Sequence, residues 1–310
     1  MNRVVLAALA VLLAPGPAPG QAGTPRGPVF RVGVDTVHVT VTVQDKDGRC
    51  VPDLRPDEFV VLEDGRPQPL ELVARAVEPG NDEALVLDLG LLLDTSESMM
   101  KEMKLSQEAA VRFLENIPRA RELFTIFFDE DIRISRYDSE NQQGLFERIH
   151  DTKSAGNTAL YDAIAVYISR IEESPGRKVL VVLTDGEDSI SRTSLSEVIR
   201  LIRSSPVTIY PIALLGGFPS GSARTVQARA VLQQLAETSG GQVFSPGASR
   251  DLAAIFQKIL DELKAQYVLG YVPANALRDG RFRKLKVQVK RDGLRVRHRA
   301  GYFASAAAGE

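Results

Sequence analysis

The chain has 310 residues, 44% of them hydrophobic and 25% charged, with a formal net charge of −2. That length can bury one large core or two smaller ones, and the composition is that of an ordinary globular protein rather than a dedicated nucleic-acid binder. Cys50 is the only cysteine, which excludes an intramolecular disulfide and a thiolate zinc cluster and leaves a small apolar side chain near a turn.

Residues 1–20 read as an export signal. Arg3 gives a positive start, Val4 to Leu13 is an apolar stretch too short to span a bilayer, and Ala18-Pro19-Gly20 offers small residues for cleavage before Gln21. No later segment is long and apolar enough to cross a membrane, so the expected location is secreted, periplasmic or on the exterior of the cell envelope. Residues 21–28 are Gly/Pro-rich and are expected to form a flexible lead-in.

Residues 29–80 predict a small β unit of sandwich type. Phe30, Val32 and Val34 alternate in one phase and Val37, Val39, Val41 and Val43 in the other, with a bulge expected near Asp35-Thr36. Asp47-Gly48 and Asp64-Gly65 are turn signals, and Phe59 to Leu62 and Leu70 to Val77 supply further strands.

Residues 84–265 alternate strands and helices. Apolar runs at Leu85–Leu93, Phe124–Phe128, Val179–Leu183, Val207–Ile212 and Gln242–Phe244 predict strands. Helical faces are formed by Ala110, Phe113, Leu114 and Ile117, by Leu195, Val198, Ile199 and Ile202, and by Ala228, Val231, Leu232 and Leu235. A last face runs from Leu252 through Ile255, Phe256, Ile259 and Leu260 to Leu263. Ser194 with Glu197 matches a capping box, and Gly240-Gly241 a helix stop. The fold class is therefore α/β, with a doubly wound, mostly parallel sheet.

Residues 266–303 return to strands, at Tyr267 to Tyr271, Phe282 to Lys290 and Leu294 to Phe303. Three strands alone make a poor core, so they are expected to pack with the N-terminal unit and make the α/β body an insert in a β-sandwich. Their many Lys and Arg residues read as the solvated face of a half-buried sheet, with weak attraction to an anionic envelope as the sharper alternative.

The chemistry sits at strand ends. Leu91-Leu92-Leu93 runs into Asp94, Ser96 and Ser98, hard oxygen donors at alternate positions. Thr158 lies in a Gly-led loop before a helix, and Val179 to Leu183 leads into Thr184-Asp185-Gly186. Together Asp94, Ser96, Ser98, Thr158 and Asp185 predict a site for Mg2+, with Mn2+ or Ca2+ as alternatives. Neutral hydroxyls against the ion would leave it electrophilic, so an open position would favour a carboxylate from another molecule.

D-T-S-E-S, G-N-T-A-L-Y-D-A and L-T-D-G together resemble the von Willebrand factor type A (VWA) domain with its metal-ion-dependent adhesion site, over about Ala84 to Ala265. The resemblance implies that Ser96 and Ser98 are direct ligands and Thr158 a direct or water-mediated one, while Asp94 and Asp185 act largely through water. It also implies that movement of the last helix of the domain accompanies ligand binding. The flanks, with G-R-C-V-P-D-L near the start and Q-Y-V-L-G-Y near the end, resemble exported bacterial proteins described as VWFA-related.

The expected function is an extracytoplasmic, metal-dependent binding module that captures an Asp or Glu of a protein partner. A metal-dependent phosphoryl-transfer hydrolase is the enzyme alternative. Against it, Ser96 stands where a second acid is usual, and His38, His150 and His298 are remote from the metal residues in sequence. Gly217-Phe218-Pro219-Ser220-Gly221 also has the wrong spacing for a nucleophile elbow. A third alternative is an ion that only locks three loops. Asp129-Glu130-Asp131 is expected to be a solvated turn, and Glu187-Asp188 to favour the start of the following helix.

Overall fold

The computed structural model describes residues 36–76, 87–117, 120–137, 142–171, 176–215, 221–247 and 251–304. The export signal, the lead-in, the alternation from Phe30 to Val34, Asp35 and the stretch from Gly217 to Ser220 lie outside the described residues. In chain order the elements are β1 (Val37–Gln44), β2 (Phe59–Glu63), β3 (Arg66–Gln68), β4 (Leu72–Arg75), β5 (Leu87–Asp94), α1 (Met103–Asn116), β6 (Ala120–Phe128) and β7 (Ile132–Tyr137). They continue with α2 (Gln142–Asp151), α3 (Leu160–Ile171), β8 (Arg177–Thr184), α4 (Leu195–Ser204), β9 (Val207–Ala213), α5 (Ala223–Ser239) and α6 (Leu252–Ala265). The last four are β10 (Tyr267–Tyr271), β11 (Phe282–Val289), β12 (Arg295–Arg297) and β13 (Gly301–Phe303).

The central sheet has the order β7-β6-β5-β8-β9, parallel throughout except for β7 at one edge. β5 and β8 are buried along their whole length, which is why Leu91–Leu93 and Val179–Leu183 read as unbroken apolar runs rather than alternating ones. Two cores flank the sheet. Phe113, Leu114, Ile149, Phe256 and Ile259 bring α1, α2 and α6 onto one face. Ile164, Tyr167, Val198, Ile202 and Leu232 bring α3, α4 and α5 onto the other. The Tyr167 ring packs over Gly90, where an added Cβ would meet it at 2.3 Å, so β5 needs a glycine there. Strand order reverses between β5 and β8, and at such a switch point the carboxyl ends of the strands open a crevice.

Two four-stranded antiparallel sheets, β12-β1-β10-β4 and β13-β11-β2-β3, each mix strands from before and after the α/β body. Val39, Val41, Val61, Tyr267, Leu269 and Val287 fill the space between them. The molecule is thus an α/β unit flanked by a sandwich built from its two ends, in line with the fold class expected. Asp64 (φ 48°) and Gly65 (φ 82°) form the tight turn joining β2 to β3.

Several details depart from the sequence reading. The run Leu294 to Phe303 is not one strand: β12 pairs with β1 and β13 with β11, in different sheets. The chain crosses at His298, whose Nε2 accepts a hydrogen bond from Val287 N at 3.0 Å. The strand expected at Gln242–Phe244 shrinks to a single bridge between Phe244 and Ile212, because Pro211 has no N–H with which to continue the ladder. β3, β7 and α2 are additional to the elements read from the sequence. Several of the basic residues near the C-terminus are engaged: Arg291 pairs with Glu58 and Asp53, Arg283 with Asp279, and Arg297 with Glu262. Lys284, Lys286 and Lys290 are exposed, as a solvated face requires, whereas Arg283 is buried.

A polar knot joins α6 to the sandwich. Glu262 accepts from Tyr210 Oη at 2.6 Å, from Thr42 Oγ1 at 3.1 Å and from Arg297 Nη2 at 2.5 Å. Gln266 Nε2 donates to Tyr210 Oη at 2.8 Å. Arg177 Nη1 donates to Gln266 Oε1 at 2.8 Å and to Leu263 O at 2.9 Å, at the carboxyl end of α6, where a cation suits the helix dipole.

Candidate metal centre

The first loop leaves the carboxyl end of β5. Thr95 turns to the neighbouring strand, with its N–H and Oγ1 both donating to Phe128 O and Oγ1 also reaching Asp129 Oδ2 at 2.8 Å. That fixes the alternate residues on the other side. Ser96 donates to Asp94 Oδ1 from its N–H at 3.0 Å and from its Oγ at 2.5 Å, and Ser96 Oγ lies 3.2 Å from Ser98 Oγ. Asp94 and Ser96 are buried, whereas Ser98 is exposed, so the group opens to solvent on the Ser98 side.

The second and third loops are stitched to the first. Thr184 Oγ1 donates to Asp94 Oδ2 at 2.6 Å, which ties the end of β8 to the end of β5. Ala155 N donates to Thr95 O at 2.8 Å and Glu97 N to Gly156 O at 3.1 Å, which holds the loop of Thr158 against the first. On its other side Thr158 N donates to Ser189 Oγ at 2.9 Å, and Ser189 N returns a bond to Thr158 O at 2.9 Å. The loops carrying Asp94, Ser96 and Ser98, Thr158, and Asp185 therefore meet at one edge of the sheet.

Several supporting residues carried no signal in the sequence reading, because their partners are distant in the chain. Asp162 accepts from Arg192 N and Thr193 N, holding the loop after β8 against α3. Glu187-Asp188 corrects an expectation. Asp188 caps the preceding helix by accepting from Tyr161 N at 3.0 Å, and Glu187 pairs with Arg224, while Ser194 and Glu197 cap α4. Asp129-Glu130-Asp131 forms the β6–β7 turn and is more than solvated: Asp129 pairs with Arg133, and Glu130 accepts from Asn157 Nδ2 at 2.8 Å. His150 lies on α2, and His38 and His298 lie in the sandwich.

The electrostatics call for a cation. Burial pushes the Asp94 carboxyl up to about 7 against the hydrogen bonds from Ser96 and Thr184, and the neighbouring Asp185 charge adds to the rise. Asp185 is only 2% exposed. Its Oδ1 accepts from Glu187 N at 3.0 Å, but its buried Oδ2 has no hydrogen-bond partner among the described residues. A buried carboxylate oxygen without a donor is costly, and a cation or a water held by one would satisfy it. Adjacent ligands of an octahedral Mg2+ lie about 2.9 Å apart, close to the Ser96–Ser98 separation of 3.2 Å. The donors are all oxygen, and among the described residues no cluster of three His, Cys, Asp or Glu offers a competing site. The residues present therefore fit a small hard divalent ion.

The sequence matches the von Willebrand factor type A domain family over residues 88–258. No curated protein matches it significantly. Among solved structures, a von Willebrand factor type A protein from Catenulispora acidiphila superposes with a TM-score of 0.50 at 12% identity, covering 89% of this chain and 76% of that one. An aerotolerance-related membrane protein from Bacteroides fragilis NCTC 9343 covers 57% of this chain and 98% of that one, at 15% identity and a TM-score of 0.45. Proximal thread matrix protein 1 from the mussel byssus, with a zinc-occupied MIDAS motif, gives 17% identity and a TM-score of 0.42 over 59% of this chain and 46% of that one. At these identities the likeness is one of fold. With more than half of its residues matched, an α/β sheet of the order described and three loops gathered at the sheet's carboxyl edge, the chain belongs to the von Willebrand factor type A domain family.

Proposed function

We propose that the protein is an extracytoplasmic interaction module whose binding face is built on a divalent cation, with Mg2+ the first candidate. Asp94, Ser96, Ser98, Thr158 and Asp185 are its ligands, and an Asp or Glu of a protein partner is what it captures. The observation that carries this reading is the buried Asp185 Oδ2, without a hydrogen-bond partner among the described residues, beside the contiguous oxygens of Asp94, Ser96 and Ser98. The ion, when bound, would supply an electrophilic position for an incoming carboxylate. Asp94 and Asp185 balance most of its charge, and the hydroxyls of Ser96, Ser98 and Thr158 complete the donor set without further neutralising it. Thr184 and Ser189 act from behind, the first orienting Asp94 and the second the Thr158 backbone.

The test has two steps. Calorimetry should show one Mg2+ site in the wild type and none in Asp185→Ala. Capture of envelope proteins on the immobilised chain should then require Mg2+, be reversed by EDTA, and fail for Ser96→Ala/Ser98→Ala. Capture that ignores both the chelator and the double substitution would refute the reading.

A further inference from the structure

Beside the metal centre the surface carries a shallow, open depression. A groove of about 610 Å3 opens between the start of α1 and the loop that follows α2. Its floor is continuous with the metal loops. Gln107 Nε2 on α1 donates to Thr152 O at 2.7 Å, and three residues later Ala155 N donates to Thr95 O at 2.8 Å.

The lining has a chemical order leading away from the metal centre. Met100 comes first, two residues past Ser98, and is 62% exposed although it is among the larger apolar side chains. Lys104 lies one helical turn further on, and Lys153 faces the same groove from the opposite wall. Neither lysine forms an ion pair among the described residues. Glu108 stands a further turn away, at the far end. The Ser154 hydroxyl, also part of the lining, has no hydrogen-bond partner among the described residues. An exposed thioether next to two unpaired ammonium groups complements a ligand that is apolar at one position and acidic at the next.

We propose that this groove is the second half of the binding face, and that its occupant is an acidic peptide segment of the partner. One carboxylate of the segment goes to the cation. The following apolar side chain lies on Met100, and a second carboxylate sits between Lys104 and Lys153. Specificity then comes from the groove, because the cation alone accepts any exposed acid. This rests on the metal-dependent reading above.

The test uses the full chain, isotope-labelled and saturated with Mg2+, and two blocked peptides, Gly-Asp-Leu-Glu-Gly and Gly-Asp-Gly-Gly-Gly. Both peptides should shift the backbone amide signals of residues 94–98 and 185–189. Only the first should shift those of Met100, Lys104 and Lys153, and it should bind roughly tenfold tighter, as a few exposed ion pairs and one apolar contact allow. In Lys104→Met/Lys153→Met most of that advantage should vanish while the chain still binds one Mg2+. Equal affinities in the wild type, with shifts confined to the metal loops, would overturn the groove and leave the metal reading standing. A chain whose metal loops respond neither to Mg2+ nor to either peptide would overturn both.

Discussion

Asp185 Oδ2 is a buried carboxylate oxygen with no hydrogen-bond partner among the described residues, and its effect can be measured as stability. A ligand that binds only the folded chain stabilises it by about 2.7 kcal/mol at a concentration 100 times its Kd. Thermal unfolding should therefore shift upward when Mg2+ is added to the wild type and stay unchanged in Asp185→Ala. A wild-type melting curve indifferent to Mg2+ would count against an ion at this place. At this scale the sequence was informative where a donor follows an apolar strand: Asp94, Ser96 and Ser98 after β5, and Asp185 after β8. Thr184, Ser189 and Asp162 were not legible. Their value lies in hydrogen bonds to groups 30 or more positions away, and a lone Ser or Thr in a loop looks the same whether or not it makes them.

Among elements, the crossing at His298 gives a pH dependence. Its Nε2 accepts from Val287 N and its Nδ1 faces Arg299 O at 2.7 Å, so the folded ring is neutral with the proton on Nδ1. Burial lowers its pKa below the ordinary value, more than the bond to Arg299 raises it. The unfolded chain therefore binds the proton more readily, and stability rises with pH across this window. The contribution is complete above about 6.5, the unfolded value, and is lost as pH falls through the lower folded one. Melting temperatures at pH 7.5 and 5.5 should differ more for the wild type than for His298→Gln, and equal differences would remove His298 from the account. His38, also shifted down by burial and by Arg299, contributes with the same sign in both proteins. The split of Leu294 to Phe303 between two sheets could not be read from alternation, because the run keeps a strand-like composition while the chain changes partners. The edge strand β7 escaped for a related reason: Arg133, Ser135 and Arg136 dilute its apolar character.

Across the whole molecule, the Glu262 knot makes the α/β body and the sandwich interdependent. Glu262 is nearly fully buried, and its partners come from β1, β9 and β12. Removing one side of a buried ion pair leaves the other charge stranded and costs about 3–5 kcal/mol. Glu262→Ala should therefore lower the melting temperature strongly. Glu262→Leu/Arg297→Leu should recover much of that loss, because no charge is left behind. A loss under about 1 kcal/mol in Glu262→Ala would show that the knot contributes little. The α/β class was readable at this scale because strand and helix periodicities alternate regularly from β5 to α6. The pairings of the sandwich were not, since they join segments some 200 residues apart, such as Leu285 with Glu63.

The strand leading into the α/β body and the strand leading out of it are immediate neighbours: β4 pairs with β10 from Arg75–Tyr267 to Leu72–Gly270, and Ala76 N donates to Gln266 O at 2.7 Å. A stretching force applied across the sandwich thus finds a clasp at the neck of the insert and passes along the ladder instead of through the metal loops. Until that clasp opens, load on the flanking strands leaves the loops at the carboxyl edge of the central sheet mechanically shielded.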